Sequence, residues 1–108
     1  MTRAWQGEEL ARAIGEKLPG AVVEARGSDL WVKPQSLLEV ARLLHAAPGL
    51  EFDFLASLTG VDYIDYFEVL YHLTSIKHNH SCVVKVRVVG REDPAVPSVT
   101  SVWQGADL

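Results

Sequence analysis

The chain has 108 residues, the length of one ordinary domain, which excludes two separate hydrophobic cores. Hydrophobic residues make up 48% of the chain and charged residues 22%, and this balance excludes a disordered polypeptide. The formal charge of −4 excludes a general attraction to nucleic acid or to an anionic membrane, and the single cysteine excludes an intrachain disulfide.

The first third of the chain predicts a helix followed by a β-hairpin. Apolar residues at a spacing of four indicate a helix over residues 8–18, with one buried stripe: Leu10, Ile14 and Leu18. Two β-rich runs follow, over residues 21–26 and 30–33. The turn-forming residues between them, 27–29, favour a hairpin connection.

A second helix is predicted to begin at Pro34, because the N–H that proline lacks would be unpaired at that position anyway. Its buried stripe has the spacing i, i+3, i+4, i+7: Leu37, Val40, Ala41 and Leu44. Pro48 and Gly49 end the pattern. The next segment alternates poorly, and we predict a strand there only over residues 55–61.

The clearest alternation lies in residues 66–76 and 81–89, which predict a hairpin closed by the loop 77–80. This loop places three apolar pairs on one face of the sheet: Leu73 with Val84, Tyr71 with Val86, and Val69 with Val88. Two pairs fall on the other face: His72 with Lys85, and Leu70 with Arg87. The predicted fold is a two-layer α+β domain of order α-β-β-α-β-β-β, with a mixed sheet and both helices on one face.

Three histidines in or beside this hairpin are candidate metal ligands: His72, His78 and His80. The last two flank the predicted turn, whereas His72 lies roughly 20 Å away along the strand, at about 3.3 Å per residue. No carboxylate is spaced to complete a metal site, so we interpret all three as solvated histidines. A small metal-dependent enzyme built on them is the alternative.

Acidic residues and the cysteine are the other candidates for chemistry. Asp62, Asp65 and Glu68 would need burial or a charged partner to acquire a useful pKa, and we interpret their loop as a strand connector. Cys82 shares the predicted inward face and should be buried and unreactive. The sequence therefore predicts no catalytic, cofactor-binding or metal-binding residue.

The three tryptophans are widely spaced at positions 5, 31 and 103. Core packing is the favoured interpretation of each. Interface anchoring is the alternative for Trp5 and Trp103, because tryptophan is favoured at the energetic centres of protein interfaces.

Motifs in the second half of the chain resemble one protein family. Residues 57–63 match S-L-T-x-V-D-Y, residues 67–73 match F-E-V-x-Y-H-L, and residues 96–106 match V-P-S-V-T-x-x-W-x-G-A. In this order and spacing they resemble the C subunit (30 kDa subunit family) of NADH:quinone oxidoreductase, the respiratory complex I, in its N-terminal domain.

The resemblance implies a structural and docking part of the peripheral arm that binds no flavin, iron–sulfur cluster or metal itself. It implies contact with the quinone-reducing D subunit at the cytoplasmic face of the cell membrane, and membrane association only through the complex. Enzyme activity would then belong to the whole translocase. Related subunits of membrane-bound hydrogenases and of ferredoxin- or F420-linked dehydrogenases leave the electron donor open.

The resemblance also divides the chain. Residues 1–90 are predicted to form the α+β domain, and the polar, proline-rich residues 91–108 to begin a C-terminal docking extension. Family members continue beyond W-x-G-A, so we expect a truncated form whose residues 98–108 are mobile or held only by neighbouring molecules. The alternative function is a free-standing module that binds a partner through an exposed sheet edge or the Trp103 region.

Overall fold

A mixed six-stranded sheet with two α-helices on one face forms the molecule, in a computed structural model that describes residues 2–89 and 102–103. The elements in chain order are β1 (Arg3–Ala4), α1 (Gly7–Lys17), β2 (Val22–Arg26), β3 (Asp29–Val32), a 3₁₀-helix (Pro34–Ser36), α2 (Leu37–Ala46), β4 (Phe54–Asp62), β5 (Phe67–Ser75) and β6 (His80–Val88). The α+β class is as predicted, and the two-residue β1 is an addition too short to leave a pattern in the sequence.

Strand β6 is the centre of the sheet, whose order is β2-β3-β6-β5-β4. On one side β6 pairs antiparallel with β5, and on the other it pairs in parallel with both β1 and β3. The parallel contact places Leu30 opposite Val84, so it joins the N-terminal half of the chain to the C-terminal hairpin.

The register of the β5–β6 hairpin differs from the predicted one by two residues. Its inward pairs are Leu73 with Cys82, Tyr71 with Val84, and Val69 with Val86. The turn comprises residues 76–79, because Ser75 pairs with His80 and Asn79 adopts a positive φ of 54°, a conformation that asparagine tolerates. A shift of two keeps every side chain on its predicted face, so the buried set was correct although its pairing was wrong.

One hydrophobic core lies between the helices and the inward face of the sheet. It contains Leu10 and Ile14 from α1, all four predicted stripe residues of α2, and alternate residues of the hairpin: Val69, Tyr71, Leu73, Cys82, Val84, Val86 and Val88. Burial raises the pKa of Tyr71 to about 12, which agrees with its inward position.

Trp103 also belongs to this core, with only 4% of its surface exposed. Its indole N–H donates to the carbonyl oxygen of Phe52 at 2.9 Å, and its ring meets His45 edge-on at 6.2 Å. Core packing is thus confirmed for Trp103. The expectation that residues 98–108 are mobile or held only by neighbouring molecules is wrong at Trp103. Except for Val102, the remainder of that segment lies outside the described residues.

The start of α1 packs directly against the β2–β3 turn. The Gly7 N–H donates to the carbonyl oxygen of Gly27 at 2.8 Å, and a Cβ atom added at Gly7 would overlap the carbonyl oxygen of Asp29. Gly15, on the same helix, has open space where a Cβ would be built.

These two glycines predict opposite effects of one substitution. Gly7→Ala should destabilise the protein by about 1–3 kcal/mol, because the turn or the helix must move away. Gly15→Ala should stabilise it by about 0.5–1 kcal/mol through helix propensity alone. Urea unfolding of both variants checks this, and equal stabilities would show that α1 does not approach the turn so closely.

Candidate functional site on the open face of the sheet

Trp31 lies on the face of the sheet opposite the helices, which we call the open face. Strand alternation sends its neighbours Leu30 and Val32 into the core and Trp31 the other way. Even so, only 6% of Trp31 is exposed. Three cationic side chains cover its ring: Arg87 at 4.6 Å from the ring centroid, Lys85 at 5.0 Å and Arg26 at 5.1 Å. These cation–π contacts are attractive, because each positive charge lies over the negative face of the indole ring.

Glu68 of β5 is the anion at the centre of this arrangement and is 5% exposed. One carboxylate oxygen accepts the indole N–H of Trp31 at 3.0 Å and lies 3.5 Å from Arg87 Nε. The other lies 4.0 Å from Lys85 Nζ. A buried carboxylate is stable only when it is paired and hydrogen-bonded, and here both conditions are met.

Two partly exposed carboxylates, Glu24 and Asp29, lie at the outside of this arrangement. We call the whole set the Trp31 cluster: Glu24, Arg26, Asp29, Trp31, Glu68, Lys85 and Arg87. Glu24 accepts from Arg87 at 3.0 Å and contacts Arg26 at 3.1 Å, while Asp29 accepts from Lys85 at 3.2 Å. Three carboxylates therefore face three cations across strands β2, β3, β6 and β5. The cluster ties the strands together and is electrically balanced.

The Trp31 cluster was not predicted, because the predicted register of the β5–β6 hairpin was wrong by two residues. Glu68 stands directly opposite Arg87, whereas the predicted hairpin set Leu70 there. Glu68, Lys85 and Arg87 were nevertheless on the same predicted face, and an acid among two bases at alternate positions was the available signal. No pattern in the sequence places Trp31 next to Glu68, Lys85 and Arg87, because β3 and β6 are far apart along the chain.

A second polar site joins the β5–β6 turn to the segment before β4. His78 Nε2 donates to one oxygen of Glu51 at 2.8 Å, and Lys77 Nζ donates to the other at 3.1 Å. These two hydrogen bonds, first that from His78, lower the pKa of Glu51 from 4.5 to about 2. Glu51 has a positive φ of 42°, so the bonds hold a backbone conformation that a non-glycine residue rarely adopts.

His80 is not the solvated turn residue that we predicted. It is the first residue of β6 and is buried, with its Nε2 donating to the carbonyl oxygen of Leu50 at 2.8 Å. Its ring packs on Phe52 at 4.7 Å and on Trp5 at 5.5 Å. The predicted turn, residues 77–80, included His80. The observed turn, residues 76–79, lies one residue earlier, so His80 belongs to strand β6.

The other predicted site residues do not converge. His72 is exposed on the open face, and Cys82 is buried on the inward face, where desolvation raises its pKa strongly. Asp62 ends β4 and Asp65 lies exposed in the connector, apart from the buried Glu68. Among the described residues, no group of three or more His, Cys, Asp or Glu side chains is placed to hold a metal ion.

Exposed large apolar side chains are spread over the sheet, on β2 at Val23, in the β5–β6 turn at Ile76, and at the ends of β4 and β6. Phe54 begins β4, Tyr63 and Ile64 follow it directly, and Val89 follows β6. Ile64 is 89% exposed and Phe54 53%. Within residues 2–89 and 102–103, neither helix is long and apolar enough to cross a membrane.

The sequence profile of the family described as the 30 kDa subunit of respiratory-chain NADH dehydrogenase matches residues 30–108. The chain belongs to this family. The match includes all three motifs that carried the resemblance, which is thereby confirmed.

Relatives named as the C subunit of NADH-quinone oxidoreductase share this sequence over nearly its whole length. The protein of Roseiflexus sp. (strain RS-1) is 39% identical over 93% of this chain and 59% of its own length. That of Roseiflexus castenholzii is 42% identical over 91% of this chain and 58% of its own. The chain thus spans a little under three fifths of these relatives.

A solved structure carries the same fold. It is a chain of the membrane-bound sulfane sulfur reductase, described as an archaeal respiratory membrane complex. The TM-score is 0.70 at 26% identity, covering 93% of this chain and 61% of that one. This family member therefore shares its fold with a chain of that respiratory membrane complex.

The Trp31 cluster predicts a large difference between two of its glutamates. Glu68→Ala should cost about 3–5 kcal/mol, because it leaves the buried indole N–H of Trp31 without an acceptor and removes the anion that Lys85 and Arg87 share. Glu24→Ala should cost at most about 1 kcal/mol, since that side chain is 36% exposed and screened by water. Denaturant unfolding of the two variants measures this, and equal losses would mean that Glu68 is not the centre of the cluster.

The Glu51 site predicts a contribution to stability that depends on acid pH. Because the pKa of Glu51 is lowered from 4.5 to about 2, its contribution is complete above pH 4.5 and is lost as the pH falls toward 2. The stability difference between wild type and Glu51→Gln should therefore shrink as the pH falls from 4.5 toward 2. Lys77→Met should weaken this pH dependence, and parallel curves for all three proteins would contradict the assignment.

Proposed function

We propose that the chain is a structural and docking part of the peripheral arm of a proton-translocating NADH:quinone oxidoreductase. In that role it supports electron transfer from NADH to quinone without carrying a redox group. Family membership across residues 30–108 carries the proposal, because relatives that match most of this chain are named as the C subunit of that oxidoreductase.

The state of the reactive side chains supports a role without a cofactor. The carboxylate of Glu68 is paired, the Cys82 thiol is buried with a raised pKa, and His80 is bound to a backbone carbonyl. A metal ligand or catalytic base has to be accessible and deprotonated when it acts. We therefore propose no catalytic, cofactor-binding or metal-binding residue in this chain.

The partner proposed is the quinone-reducing D subunit, at the cytoplasmic face of the cell membrane. Residues 1–90 would supply the folded domain and residues 91–108 the beginning of a docking extension. Trp103 supports this arrangement, because its position in the core fixes the extension to the domain at that point. The exposed residues Phe54 and Ile64 add apolar surface of the kind that interfaces use.

The equivalent subunit of a related respiratory complex is the second candidate function. The similarity to a chain of the membrane-bound sulfane sulfur reductase favours it, since that complex shares this fold. The two candidates differ in electron donor and not in the role of this chain.

Affinity purification from the native membrane tests the proposal. We expect the tagged chain to recover the quinone-reducing D subunit together with NADH:quinone oxidoreductase activity. Activity with hydrogen, reduced ferredoxin or reduced F420 in place of NADH would support the second candidate. Recovery of the chain from the soluble fraction without any subunit of such a complex would contradict both. Stoichiometric zinc or iron in the purified chain would contradict the cofactor-free role.

A further inference from the structure

We draw no further inference here: the strongest candidate, the shallow groove on the solvent-facing side of α1 that Glu8, Ala11, Arg12, Gly15 and Glu16 line, carries none, because nothing in the described part of the chain shows what covers it.

Discussion

The parallel pairing of β3 with β6 is the constraint on which both faces of the sheet depend. It brings Leu30 beside Val84 on the inward face, where α1 and α2 cover them. It also sets Trp31 beside Lys85 on the open face. Without this contact β2 and β3 would form an isolated two-stranded hairpin, and such hairpins are marginally stable in water. The core and the Trp31 cluster are thus two consequences of one pairing.

Local periodicity was sufficient to predict both helices, every strand except β1, and their buried sides. The stripe of α2 and the inward residues of β5 and β6 followed from spacings of 3.6 and 2, which do not depend on distant parts of the chain. Periodicity was not sufficient to predict the turn between β5 and β6. The observed turn differs from the predicted one by one residue, and only the positive φ of Asn79 and the burial of His80 identify it. The β3–β6 contact, between residues far apart in sequence, had no local pattern at all.

A small error in the predicted register of the β5–β6 hairpin had a large effect on the prediction of the candidate site. A register wrong by two residues preserved every face, so the predicted core remained correct. The predicted register nevertheless placed Leu70 opposite Arg87, where the structure has Glu68. For this reason the ion pair at the centre of the Trp31 cluster was not predicted. A register error of two residues leaves the prediction of buried residues correct, because one apolar neighbour is replaced by another. It makes the prediction of an ion pair wrong, because an ion pair requires one particular neighbour.

The distribution of charge across the sheet follows from the same geometry. Strands β2, β3, β5 and β6 hold their cations and carboxylates in mutual contact, so the charges on this part of the open face are already balanced. Strand β4 lies two strands from the centre and takes no part in the cluster. The ion pairs therefore fix the strands β2, β3, β5 and β6 to one another on the face that the helices leave uncovered, while the hydrophobic core fixes them on the other face.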